Sequence, residues 1–263
     1  MKKLIAFVLA TLMLLSLAAC GASSPAAPAA EAPVPTAEKA EEAAATEDLT
    51  ATAEPAATAE PPEEKAVSPY AWLGYEELPQ CNYFDIMATG VFYREYDSYI
   101  TGYSVPTVQA SDGVNTYQFD GSNINLNLNG MVYGLGVRGK QYMEKDMTET
   151  YKSTLAKQNE NRINGVDATG KEFTGTGNEP VPLLSDSGDA ASYEYYEFTS
   201  EQMGMTLRER IYFKDGDVYA IHQLITMGEN STELTEVIKL VSGEPDPALF
   251  ALPDDFAEYT PIG

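Results

Sequence analysis

The 263-residue chain predicts an α+β domain that is mostly β: a curved antiparallel sheet with one main helix at about 147–160 and a short C-terminal helical turn. Three observations predict it. All 17 tyrosines and the single tryptophan, Trp72, lie at or beyond Tyr70, so the aromatic material for a core is confined to the last three quarters of the chain. From there on, apolar and polar residues alternate with the period of a half-buried strand, and Asp-Gly and Gly-rich pairs separate the runs. The spacing of a helix recurs only once.

The strands follow in order. Ile86 to Tyr96 reads as the first and Val114 to Phe119 as the second. Asp120-Gly121 turns into Ile124-Asn125-Leu126-Asn127-Leu128-Asn129, whose period of two predicts leucines facing inward and asparagines outward. Met131 to Val137 and Gln141 to Met143 continue the meander around a turn at Arg138-Gly139-Lys140. Asp146 and Glu149 have capping-box spacing, and Met147, Tyr151 and Leu155 form a narrow stripe at i, i+4 and i+8. These predict the helix, which ends before Asn164-Gly165. Phe173-Thr174-Gly175 begins another strand, and Pro180 to Ala190 reads as a loop. Ser192 to Thr199, Met205 to Phe213, Val218 to Met227 and Leu234 to Val241 complete the set, with Asp215-Gly216 as a hairpin turn. Asp246-Pro247-Ala248-Leu249-Phe250 supplies a cap residue, then Pro at the first helical position, and predicts a one-turn helix.

The segment before this domain reads differently. Lys2 and Lys3 precede an apolar run from Leu4 to Leu17, and Leu17-Ala18-Ala19-Cys20 closes it. A charged start, an apolar stretch shorter than the roughly 20 residues of a membrane span, and a small-residue cleavage site make a signal peptide over residues 1–19. Leu-Ala-Ala-Cys resembles the lipobox of bacterial lipoproteins. The resemblance implies that Cys20 carries a diacylglyceryl thioether and becomes the first residue of the mature chain, anchored to the outer face of the cell membrane without spanning it. Cys81 is then an odd thiol, either buried and inert or paired between molecules. Residues 20–69 are an Ala/Pro/Glu/Thr-rich tether without an aromatic residue, too polar to offset its ordering entropy and about 40 Å long as a coil. The single globular domain spans 70–263.

The meander with one mid-domain helix, the Thr174-Gly175-Thr176-Gly177 link, the strand-rich stretch 193–227 and the Asp-Pro-Ala-Leu-Phe-Ala-Leu-Pro-Asp-Asp-Phe ending resemble the LolA/LppX-like half-barrel lipoprotein superfamily over about residues 85–258. The resemblance implies an unclosed half-barrel around helical elements, whose concave face holds acyl chains in some relatives. This chain offers one clear helix where lipid carriers have more to plug the barrel.

Composition narrows the chemistry. Forty Asp and Glu against sixteen Lys and Arg give a net charge of −24, which repels nucleic acid, and one histidine excludes a two-histidine zinc site. No metal or cofactor set can be assembled. Gly134-Leu135-Gly136-Val137-Arg138-Gly139 has the spacing of a dinucleotide fingerprint but lacks the helix such a site requires, and reads as a twisted hairpin. Asp186-Ser187-Gly188-Asp189 is the best of several weak calcium candidates. If Asp215-Gly216 is a two-residue loop, Glu209 faces His222 and Tyr212 faces Tyr219. The Glu209–His222 polar pair lacks the nucleophile and third group that catalysis needs. Leu126, Leu128, Leu207, Ile211, Phe213 and Leu224 are candidate linings for a hydrophobic ligand, and equally candidates for an ordinary core. The expectation is a non-enzymatic, surface-anchored lipoprotein that binds a lipid or other hydrophobic ligand. The alternative is a structural or sensory module that contacts another envelope protein and holds nothing.

Overall fold

The computed structural model describes residues 68–259 apart from 101–102, 168, 185–190 and 203. The expectations for the signal peptide, Cys20, nearly all of the tether and the Asp186–Asp189 loop fall outside the described residues.

A 3₁₀ turn, η1 (Ala71–Leu73), and a helix, α1 (Asn82–Thr89), lead into an antiparallel meander. It comprises β1 (Val91–Ile100), β2 (Tyr103–Asp112), β3 (Thr116–Phe119), β4 (Asn123–Leu128), β5 (Met131–Gly136) and β6 (Gln141–Asp146). The long helix α2 (Thr148–Asn164) carries the chain to a second meander: β7 (Glu172–Pro180), β8 (Ser192–Gln202), β9 (Met205–Lys214), β10 (Asp217–Met227) and β11 (Asn230–Ser242). A 3₁₀ turn, η2 (Pro247–Phe250), and a two-residue strand, β12 (Ala257–Glu258), end it. The strands make one twelve-stranded sheet in the order β12-β6-β5-β4-β3-β2-β1-β11-β10-β9-β8-β7. It is antiparallel except where β12 joins β6, and it is not closed: β12 and β7 are its edges. The two meanders meet where β1 pairs with β11.

The mostly β architecture, the Asp215-Gly216 hairpin and the C-terminal helical turn agree with the sequence reading. Asp215 and Gly216 both take positive φ, as a tight two-residue turn requires, and Asp246 caps η2 by accepting the Ala248 amide at 2.9 Å. Three features differ. The domain has a second α-helix, α1, where the sequence predicts a strand from Ile86; the strand starts at Val91, because Gly90 ends the helix at φ 75°. β2 has no counterpart in the sequence reading. The main helix also runs on to Asn164, where Gly165 stops it in the left-handed conformation. It is polar nearly all round, with Tyr151 its one buried residue.

Directly paired residues in antiparallel strands share a face, so the register sorts every side chain. One face, here the near face, is covered over β8, β9 and β10 by the segment from Tyr70 to Phe84. Tyr70, Tyr75, Leu78, Tyr83 and Phe84 pack there on Phe198, Ile211, Val218 and Ile221. On the far face, Val181 and Leu184 close over Tyr212 and Ala220, flanked by Tyr99, Tyr193, Tyr195, Tyr219 and Val237. Leu126 and Leu135 are buried on the far face too, where the register places them with Tyr117 and Ile124. Each such buried aliphatic or aromatic side chain contributes roughly 1.5–3 kcal/mol.

Candidate functional site

The register divides the residues singled out from the sequence. β10 carries one extra residue, Tyr219, between Val218, which pairs with Phe213, and Ala220, which pairs with Tyr212. This β-bulge shifts everything beyond it by one position. His222 therefore lies opposite Arg210, and Glu209 lies opposite Gln223. The expected Glu209–His222 pair does not form; the two side chains belong to opposite faces. Tyr212 likewise does not face Tyr219, whose ring packs on Tyr193 at 4.6 Å between centroids. The six candidate lining residues divide in the same way. Leu207, Ile211 and Phe213 share the near face with Glu209, whereas Leu224, Leu126 and Leu128 belong to the far face. They do not line one surface. Ile211 and Leu126 are buried core residues.

On the near face Glu209 is the hub of a buried polar network. Its carboxylate accepts hydrogen bonds from the Tyr75 hydroxyl, from Lys171 Nζ at 2.8 Å and from Gln223 Nε2 at 2.6 Å. Burial alone would raise its pKa, but the Lys171 charge and these hydrogen bonds outweigh burial and hold it below the usual carboxylate range. Beside it, Arg94 binds the Tyr83 hydroxyl at 2.7 Å, Glu236 at 3.1 Å and Gln109 Oε1 through two nitrogens, and its guanidinium sits 4.5 Å from the centre of the Tyr96 ring. Burial pushes the Glu236 carboxyl up despite Arg94. These bonds tie the Tyr70–Phe84 cover to the sheet. Sequence reasoning missed Lys171, Arg94 and Glu236 because their partners lie far along the chain: 38 residues for Lys171–Glu209 and 142 for Arg94–Glu236.

On the far face Arg210 bridges Glu197 at 2.6 Å and Glu179, and Tyr212 donates to Glu179 at 2.9 Å. Thr174 donates to the other Glu197 oxygen at 3.0 Å. His222 is 5% exposed, between Arg210 and Thr235 in register, and its Nε2 has no hydrogen-bond partner among the described residues. Burial first, then the Arg210 and Arg208 charges, push its pKa down to about 4, so the imidazole is neutral at physiological pH. Among the described residues no hydroxyl nucleophile is hydrogen-bonded to it. Gly134 and Gly136 lie in β5 and Gly139 in the turn before β6, the hairpin that the sequence suggested. Among the described residues no group of three or more His, Cys, Asp or Glu side chains is placed to hold a metal. Cys81 is buried and unpaired, and burial raises its thiol to about 11.

Two shallow clefts flank the N-terminal cover. One, of about 250 Å³, lies between Asn82, Tyr83, Asp217 and the β11 residues Ile238 to Val241. The other, of about 260 Å³, is bounded by Glu76, Glu77, Asp167, Lys171 and Phe173. It opens beside β7, which pairs only with β8 among the described residues. Phe173 is 41% exposed at the start of that edge, and Ile163 and Val166 at the end of α2 are also exposed.

No family model matches the chain, and no curated protein matches it. Among solved structures the chain is similar to an uncharacterized conserved protein from Thermus thermophilus, at 7% identity and a TM-score of 0.38, over 66% of this chain and 96% of that one. At that level the likeness carries no functional argument.

Proposed function

We propose that this chain is a non-enzymatic lipoprotein, anchored through Cys20 on the extracytoplasmic face of the cell membrane, whose domain contacts another cell-envelope protein. The observation that carries the reading is how the sheet is filled. Over the second meander its near face is occupied by the chain's own Tyr70–Phe84 cover, and the candidate lipid-lining residues are split between the two faces. Both clefts are smaller than the roughly 300–1,000 Å³ of ligand pockets. An acyl chain has no continuous apolar groove to enter among the described residues.

The finer architecture that fits this reading is an unclosed, curved half-barrel. Strands in a sheet lie ~4.8 Å apart, so β1 and β7, five strand spacings apart, would be separated by about 24 Å if the sheet were flat. Arg162 near the end of α2 already reaches the Thr89 carbonyl beside β1. Residues 165–171 must cover the rest while turning at Asp167, which accepts the Thr169 amide. Coiling of the sheet shortens that path.

The surface offered to a partner is the β7 edge with the adjacent cleft. An unpaired strand edge is a template for strand addition. Phe173 supplies an apolar contact, while Glu76, Glu77, Asp167 and Glu172 suit an extended partner segment carrying Lys or Arg.

The test uses the full chain expressed in a bacterium with a clickable fatty acid. Label and membrane retention are expected in the wild type and lost in Cys20→Ala. Detergent-purified chain should take up no fluorescent acyl probe. A cross-linker at Asn178 should give one envelope-protein adduct, abolished by charge reversal at Glu76, Glu77 and Asp167. Stoichiometric acyl uptake, or membrane retention without Cys20, overturns the reading.

A further inference from the structure

The polar hub under the Tyr70–Phe84 cover holds the parts of a covalent reaction. The Glu209 carboxylate takes an amine on one oxygen and a primary amide on the other. Lys171 Nζ lies 2.8 Å from Oε1, and Gln223 Nε2 lies 2.6 Å from Oε2. Three elements meet there. Lys171 is the residue before β7, Glu209 belongs to β9, and Gln223 is its direct ladder partner on β10. The Tyr75 hydroxyl is bonded to both Lys171 Nζ and Glu209 Oε1, and so holds the amine against the carboxylate. The surroundings are aromatic. Phe198 pairs with Glu209 in register, and Tyr75 lies 5.1 Å from Phe198 and 4.9 Å from Phe84 between centroids. Lys171 Nζ is 3.8 Å from the centre of the Tyr75 ring. Lys171 and Gln223 are half-buried, and Glu209 is 3% exposed.

As a device for stability alone, a buried ion pair is weak, because desolvation offsets much of the attraction. As a reaction site, each part of the hub has a role. An amine and a carboxamide are the two halves of an amide exchange. In water that exchange is slow, because the amine is protonated, the leaving nitrogen needs a proton, and the reactants seldom meet. Along its hydrogen bond Lys171 can pass a proton to Glu209, which frees the Nζ lone pair for attack. Glu209 also sits at hydrogen-bond distance from the nitrogen that must leave, so the same carboxyl can protonate it. Holding both reactants on one carboxylate makes their encounter unimolecular, and the aromatic cover keeps out the water that would compete with the amine. From the carboxylate to Gln223 Cδ, Nζ moves by rotation of the Lys171 side chain alone.

We infer that Lys171 and Gln223 join in an intramolecular isopeptide bond in the folded chain, with Glu209 as the proton-transfer group. The Nζ–Cδ bond forms, the Cδ–Nε2 bond breaks, and ammonia leaves. Of the two protons that Nζ gives up, one departs with the ammonia and one stays on Glu209, so the buried positive and negative charges vanish together. No oxidant, reductant or co-reactant is consumed. The product is a staple from the start of β7 over β8 and β9 to β10. It fastens the edge strand to the middle of the sheet, and it stands whether or not β7 docks a protein.

The experiment is mass spectrometry of the full chain purified in detergent, intact and after trypsin, with folding followed by circular dichroism. Trypsin should release from the wild type one species in which the Lys171 peptide is joined to the Gln223 peptide, a result that does not depend on whether any variant folds. Glu209→Gln keeps the size of the side chain but cannot take the proton, and Lys171→Arg keeps the charge without the nucleophilic amine. Both variants should yield the two peptides apart. After allowance for each substitution, the intact wild type should be lighter than either by one ammonia. A folded wild type that has lost no ammonia overturns the proposal. So does ammonia loss with the two peptides separate, the mark of ring closure at Asn129-Gly130 or Asn164-Gly165. A joined pair in folded Glu209→Gln overturns the role of Glu209.

Discussion

Glu209 and His222 lie one ladder position out of step and on opposite faces of the sheet, because Tyr219 is an extra residue in β10. The bulge gives each its own environment: Glu209 is charged and saturated with donors, and His222 is neutral beside Arg210.

Stability should therefore fall with acidification in a window set by His222. Its unfolded pKa is ordinary, about 6.5, and its folded pKa is depressed to about 4. Between these values the unfolded chain binds a proton that the folded chain does not, so stability drops as pH falls from about 6.5 to about 4 and levels off below. The loss is about 3 kcal/mol. Urea unfolding at pH 7.5 and 4.5 checks it: His222→Gln should flatten the dependence across this window, and an unchanged slope in the variant would contradict the assignment.

Glu209→Ala leaves the half-buried Lys171 without its counter-charge and the buried Tyr75 hydroxyl without its acceptor. Removing one partner of a buried ion pair costs about 3–5 kcal/mol. The same measurement, at pH 7.5, should show that loss, and Lys171→Met combined with Glu209→Leu should recover much of it.

Truncations distinguish core from surface among the leucines and isoleucines. Leu126→Ala and Ile211→Ala, at 1% and 0% exposure, should each cost about 2–5 kcal/mol. Leu240→Ala, at 48% exposure, should cost less than about 1 kcal/mol. Equal losses would mean that the faces have been assigned wrongly.

Cys81 should resist a thiol reagent in a native Cys20→Ala chain and react promptly in denaturant, since its thiolate is disfavoured and its sulfur covered. Prompt native labelling would place Cys81 at an accessible surface.

What the sequence discloses follows from how local each signal is. Ile124 to Leu128 shows its period of two, and Asp215-Gly216 shows its turn, because both are written within a few neighbouring residues. The α1 helix does not show. Cys81 at its N-cap makes no side-chain cap bond, and the Tyr83 amide is instead accepted at 3.0 Å by Asp217, 134 residues away. Asp217→Ala should cost about 1 kcal/mol for that reason, with the loss confined to α1 in amide exchange. The candidate site is illegible for a related reason. A single bulge at Tyr219 inverts the facing of every residue after it, and no local pattern announces it.

The pairing of β1 with β11, and of β6 with β12, bears on how the chain reaches this form. The first meander is complete by Asp146, yet its inner flank and its outer edge are each finished by strands made after residue 229. Contacts of such long sequence separation make folding slow. A chain emerging from its N-terminus exposes the ladder groups of β1 and β6 until its last residues arrive, so whatever escorts it must hold both strands apart from other chains for the whole of synthesis.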